Sequence, residues 1–486
     1  MTIMAEQASE DVSVIDILQN HLDTDSDIYD IDRACAELEK LSSMGDAEAQ
    51  YLFSLFLYAG ISSAQDRTSA LEHMKAASES GNLKASRTFD EVSGGGDWTV
   101  PFIELKLKGE QGDADACAEL FRVYSEGNKN IRKDHSESLR WYTVNAEKGD
   151  AEAQNAVGYM HLMGKGNIPK DIEKAKHWLY RSAESGDPEA MYRLATAHLK
   201  GINGLKQNNR QAMKWYKASA DAGHADAGHD LAELYMTARR PDFNKAVELL
   251  TMSSEQGQAD SMHKLGLLYA HGQGVIRDAD KAIEYLKSAC ELDNSECMVD
   301  YANLRYEGQI LEQDLEEAAK WFQRAADLYN PTAEYCLACM YGNGLYFEKD
   351  DKKAADLFKN AAEAGEPNSQ YIFGCFCYEG RGIPKDDDEA ALWFGMAAEQ
   401  GHPAAKAFYG MMVVTGACTD LDADNGLSMI KEVADAGYSD GQYYLGRLYM
   451  DGNHVKKNIS LAKKYLKKAA KQGDADASAL LNLLNS

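Results

Sequence analysis

Apolar and polar positions alternate with a helical period along most of the chain, and residues 257–293 show the unit most clearly. Leu265, Leu268 and Tyr269 recur at helical spacing, and Gly272 and Gly274 end that stretch. Asp278 then offers a side-chain oxygen to free backbone N–H groups and starts a second helix, whose apolar stripe is Ala282, Tyr285, Leu286 and Ala289. The pattern predicts a helical hairpin in which small Ala and Gly positions let two helices approach closely. One hairpin alone leaves an apolar face unburied, so it needs copies of itself as neighbours.

The copies are present. The residue closing each hairpin falls at Gly45, Gly81, Gly112, Gly149, Gly186, Gly223, Gly257, Asp293, Tyr329, Gly365, Gly401, Gly437 and Gly473. The intervals average about 36 residues, within the range of helical-repeat arrays. Lys174-Ala-Lys-His-Trp178, Leu445-Gly446 with Tyr449 and Gly452, and Glu389 to Gly401 repeat the scheme. This pattern, A-x-x-x-L-G-x-x-Y-x-x-G-x-G followed by K-A-x-x-W-x-x-x-A-A-x-x-G, resembles the Sel1-like repeat family, relatives of the tetratricopeptide repeat. The resemblance covers the chain from about Asp30 onward. It implies an all-α fold, an α/α solenoid of Sel1-like hairpins stacked into a right-handed superhelix.

Four segments are expected. Residues 1–29 are acidic and polar except for Val14, Ile17, Leu18 and Leu22, which fit a capping helix. Residues 30–112 hold N-terminal repeats that end in an irregular hairpin. Residues 113–473 form the regular array, with one trimmed loop at Arg239-Arg240-Pro241, and residues 474–486 form a C-terminal cap. The irregular stretch, Gly81 to Gly112, contains Gly94-Gly95-Gly96 and places Pro101, Glu104 and Lys108 where other copies have Ala, Trp and Ala. Three glycines are costly in a helix. The stretch fits either a degenerate packed repeat or a joint between an N-terminal lobe and the main array. Pro188, Pro331, Pro367 and Pro403 fall just past hairpin junctions, where a first helical turn needs no N–H.

Charge narrows the partners. The 486 residues carry 78 Asp and Glu against 51 Lys and Arg, a formal net charge of −27. Phosphates would be repelled, so neither nucleic acid nor an anionic membrane surface is expected, whereas a protein or peptide with basic residues fits. The chain shows no secretory leader and no stretch of about 20 apolar residues, so membrane insertion is not expected. Nine cysteines, an odd number scattered unevenly, point to reduced thiols and a cytoplasmic location.

Candidate chemistry mostly reduces to packing. Cys336-Leu-Ala-Cys339 has redox or zinc spacing, but it lies in mid-helix without a second Cys/His pair, and Cys375 and Cys377 are similar. Asp420 to Gly426 imitates a calcium loop whose final ligand position holds Lys431, so a helix cap is expected there, as at Asp386. The Walker spacing, H-E-x-x-H and G-x-S-x-G are absent, and the twelve His do not cluster. No catalytic residue, metal site or cofactor is expected. Cys290 and Cys297 stand much where the cysteine-rich secreted branch of the resembled family places disulfides, with six residues between them instead of seven. That branch implies an alternative, a β-lactam- or cell-wall-related hydrolase; a free thiol pair fits the rest of the chain better.

Counting from each junction, positions +4, +8, +11 and +12 of the first helix face the core, while +3, +7, +10 and +14 share one face and vary freely. By analogy with the resembled family this stripe lines the concave surface, and it is the candidate binding face of a non-enzymatic scaffold or adaptor. Between Gly223 and Tyr329 it is mostly acidic or polar, including Asp226, Asp230, Glu233 and Asp300. It then becomes Cys336, Cys339, Ile372, Cys375, Phe408, Met411 and Tyr444. Such a change suggests either an exposed apolar patch or side chains packed on neighbouring first helices.

Overall fold

Residues 31–61, 65–164, 167–417 and 422–485 are described by a computed structural model. The expected capping residues Val14, Ile17, Leu18 and Leu22 lie outside them. Every regular element among the described residues is an α-helix, most of them 13 residues long, arranged as successive antiparallel pairs.

The local causes are the expected ones. Asp278 caps helix Ala279–Glu291 by accepting a hydrogen bond from the Lys281 N–H at 3.1 Å. Asp386 does the same for Asp387–Glu399, and Asp422 for Ala423–Asp435. The calcium-like stretch is thus a cap over its described part, and Asp420 lies outside. Pro188, Pro331, Pro367 and Pro403 each open a helix. The junctions turn through positive φ, and the two without glycine, Asp293 and Tyr329, still hold φ of 60°, a region that non-glycine side chains rarely enter. Close approach within a hairpin is equally concrete. A Cβ on Gly266 would stand 2.6 Å from Leu286 Cγ, so a larger residue there would prise helices Ala259–His271 and Ala279–Glu291 apart.

The chain forms two compact units, one ending at Leu234 and one beginning at Tyr235. In the second unit, regular hairpins bury Ala, Leu and aromatic side chains between neighbours, as around Tyr301, Trp321 and Phe322. In the first unit, the stretch from Gly81 to Gly112 is packed, though not as a hairpin. Helix Thr99–Glu110 lies along the earlier first helix Ala47–Ala59 and against Ala114–Glu126, instead of pairing with its own predecessor Leu83–Val92. Tyr58 donates to Thr99 Oγ1 and Tyr51 to Glu110 Oε1, each at 3.2 Å, so the two helices run antiparallel. Phe102, Ile103 and Leu107 join one continuous core with Leu52, Leu55 and Trp141.

That arrangement buries charge. Lys106, only 1% exposed, donates to Glu91 at 2.7 Å and Thr88 at 2.8 Å. Burial lowers its pKa, opposed by Glu91. Glu110 is held by Arg140 and Lys84, and Arg87 pairs with Glu137 and Asp134. Each buried ion therefore has a partner, without which it would be strongly destabilising.

Candidate functional site

The apolar part of the expected stripe lies in the second unit, on first helices Pro331–Asn343, Pro367–Glu379, Pro403–Thr415 and Ser439–Asp451. Cys336, Cys339, Ile372, Cys375, Phe408, Met411 and Tyr444 are all half-buried, with their inner sides packed on the core. Phe408 anchors a run of rings. Its centroid is 4.6 Å from Phe394, 5.1 Å from Tyr378 and 5.9 Å from Tyr444. Helices Pro403–Thr415 and Ser439–Asp451 also touch directly. The stripe is therefore neither a free patch nor closed core: neighbouring first helices share it, and each side chain keeps an open edge.

A cavity of about 240 Å³ opens on the same face. Asn303, Tyr306 and Glu307 line it from one first helix, Tyr335, Cys336 and Cys339 from the next, with Phe322 as part of its wall. Apolar walls with a few polar groups suit the anchoring of a side chain. Burial disfavours the thiolates along this face. Burial pushes Cys336 up to about 12 and Cys375 up to about 11, and it raises Cys339 too. At neutral pH they remain protonated, and the thiolate is the reactive form. Among the described residues no group of three or more His, Cys, Asp or Glu is placed to hold a metal ion. Cys290 and Cys297, both fully buried, place their sulfurs 3.5 Å apart as free thiols.

The acidic residues divide between the units. Asp226, Asp230 and Glu233 belong to the first, where Asp226 is exposed and the other two are half-buried. Asp230 lies beside the hydroxyls of Tyr192 and Tyr216 and helps to hold both protonated. Asp300 belongs to the second unit and lies 2.9 Å from His263 Nε2. Asp230 and Asp300 are thus already engaged within the protein.

The pattern of the Sel1 repeat family matches residues 47–82, 114–150, 151–187, 188–224, 225–258, 259–294, 295–330, 331–366, 367–402 and 439–474, well over half of the chain. The chain belongs to the Sel1 repeat family. Among solved structures it is similar to c5321, a protective antigen present in uropathogenic Escherichia coli strains and displaying an SLR fold. The two are 24% identical over 93% of each chain, with a TM-score of 0.59. A Sel1 repeat protein from Oxalobacter formigenes is 25% identical over 67% of this chain and 93% of its own, with a TM-score of 0.54. These likenesses show the solenoid fold. No curated protein sequence matches the chain.

Between residues 47 and 474 the ten Sel1 repeats leave out 83–113 and 403–438. The first gap contains helix Thr99–Glu110. The second keeps hairpin geometry with a tighter contact, since a Cβ on Gly426 would stand 2.5 Å from Gly410 O. The register also passed over the tyrosines beside the stripe. Tyr51, Tyr192, Tyr335, Tyr371 and Tyr443 all stand six residues past a junction. Tyr192 and Tyr371 stack on His224 and His402 of the following hairpins, at 4.6 and 4.7 Å. Their recurrence at +6 is a signal in the sequence itself, one position away from the stripe at +3, +7, +10 and +14.

Proposed function

We propose that this Sel1 repeat protein is a non-enzymatic scaffold or adaptor, holding a protein or peptide partner on the face formed by its first helices. The observation that carries this reading is the run from Cys336 to Tyr444, apolar side chains with open edges beside a cavity of about 240 Å³. A net charge of −27 favours a partner with basic residues over nucleic acid. Among the described residues no helix is long and apolar enough to cross a membrane. The reading includes a cytoplasmic location, where nine cysteines stay reduced.

The test compares the chain with an Ile372→Ser, Phe408→Ser double variant in affinity capture from the native cell followed by mass spectrometry. Specific partners should disappear while the melting temperature falls by no more than a few degrees. Unchanged capture would overturn the assignment of this face. A loss of stability as large as that of a core substitution would show that the two side chains serve packing.

A further inference from the structure

One short aromatic and aliphatic pattern occurs twice, once covered and once open. Helix Ala47–Ala59 reads Tyr51-Leu52-Phe53-Ser54-Leu55-Phe56-Leu57-Tyr58, and helix Pro367–Glu379 reads Tyr371-Ile372-Phe373-Gly374-Cys375-Phe376-Cys377-Tyr378. Both stretches start six residues past a junction, so matching residues occupy the same helical positions. In the first unit, helix Thr99–Glu110 is seated along this face, bonded to Tyr58 at one end and Tyr51 at the other. Leu52 and Leu55 between them are 0% exposed. In the second unit Tyr371, Ile372 and Cys375 are only half-buried, and Tyr378 is 38% exposed.

We propose that this face of helix Pro367–Glu379 docks an amphipathic α-helix of a partner protein, laid antiparallel as Thr99–Glu110 is laid on Ala47–Ala59. The inference rests on the reading of this face as a binding face, and it specifies the partner's chemistry. The internal helix supplies the template. Thr99, Ile103, Lys106 and Glu110, spaced as i, i+4, i+7 and i+11, form one face of it and are buried. Thr99 and Glu110 meet the two tyrosines, Ile103 sits between them, and Lys106 reaches Thr88 and Glu91 on the next first helix.

The surroundings of the open copy change two of those four positions. Where Leu83–Val92 presents Thr88 and Glu91, Pro403–Thr415 presents Phe408 and Met411 at the same places past its junction. A lysine docked there would lose both of its partners and face two apolar side chains instead, so the occupant carries an apolar side chain at i+7. Glu110 depends on Arg140 and Lys84; Ala404 stands at the position of Lys84, and the surroundings of Tyr371 hold carboxylates, Asp440 and Glu379. An uncharged acceptor such as an amide at i+11 takes the tyrosine hydrogen bond without that repulsion. The occupant is therefore a helix with a hydroxyl, two apolar residues and an amide at i, i+4, i+7 and i+11, a helix-in-groove mode of recognition.

The probe is a fluorescently labelled peptide of residues 97–111 carrying Lys106→Met and Glu110→Gln, titrated into the full chain by anisotropy. Saturable binding is expected, weakened at least about tenfold by Ile372→Asp and several-fold by Tyr378→Phe, with circular dichroism confirming that both variants fold. The unmodified peptide should bind at least about tenfold more weakly, because its charges lose the partners they have in the first unit. Absence of saturable binding overturns the proposal. So does binding indifferent to Ile372→Asp, which would mean that the peptide enters the first unit in place of helix Thr99–Glu110. If the peptide fails while the Ile372→Ser, Phe408→Ser variant still loses its cellular partner, helix docking is wrong and the scaffold reading stands. If the peptide binds as expected but that variant keeps its partners, the assignment of this face to the cellular partner fails and helix docking stands.

Discussion

Helices Ala47–Ala59 and Pro367–Glu379 carry similar apolar faces, yet one is closed and the other open. In the first unit a helix of the chain itself lies on that face and brings Lys106 and Glu110 into a buried network with Glu91, Arg140 and Lys84. In the second unit the same positions are edged by Phe408, which meets Tyr378 ring to ring, and their outer sides stay accessible. The local sequence therefore sets which residues share a face. A segment arriving from elsewhere in the chain sets whether that face is core or surface. Buried ion networks add little net stability, so the charges around Lys106 fix where helix Thr99–Glu110 sits more than they strengthen it.

The largest expected effect tests whether the two regions are energetically separate. Trp321, 7% exposed and edge-on to Tyr301, should cost about 3–5 kcal/mol when changed to Ala. Hydrogen exchange should then rise in the hairpins on either side of Trp321 and stay unchanged around Trp141, since stability in an array is a sum of neighbouring interfaces. Uniform loss of protection would show that the two regions unfold together.

The next effect breaks the comparison directly. Leu52→Ala should cost about 2–4 kcal/mol, read from local hydrogen exchange, and Ile372→Ala about 1 kcal/mol, because only the first leaves a sealed cavity. Equal losses would mean that the face of Pro367–Glu379 is as closed as its counterpart.

A smaller effect comes from pH. Burial alone would raise the Glu110 carboxyl, but Arg140 and Lys84 together hold it below its ordinary value of 4.5. A carboxylate with a depressed folded pKa contributes stability that is full above the unfolded value and is lost as pH falls through the folded one. Glu110→Gln should therefore cost about 1–3 kcal/mol at pH 7, and the difference from the unsubstituted chain should shrink as the pH falls below about 4.5. A difference that stays constant over that range would show that Glu110 acts through shape alone.

The smallest effect concerns Ser93 to Asp97, all exposed. Brief proteolysis should nick this loop, yet the fragments should co-elute with unchanged circular dichroism, because Thr99–Glu110 remains bonded to Ala47–Ala59. Separation of the fragments would restore the joint as the better description of the glycines.

Much of the architecture was legible in residue order because its causes are local. A helix begins where Asp278 or Asp386 caps free N–H groups, and it ends at a glycine in the left-handed region. Gly266 against Leu286 fixes how closely a pair packs, and repetition of these signals over about 36 residues can produce only stacked hairpins. The placement of Thr99–Glu110 was not legible. Its partners, Tyr51 and Tyr58, lie some 40 to 60 residues earlier, and no helical period links positions so far apart. For the same reason the stripe could be drawn from register while its burial could not. The identity of residues 372, 375 and 408 follows from the sequence, whereas their half-burial depends on how closely successive first helices approach. Sequence alone determined the helices, their caps and the faces they present. Tertiary structure decided which of two similar faces is filled, because burial is a property of the space around a side chain and that space is shaped by distant residues.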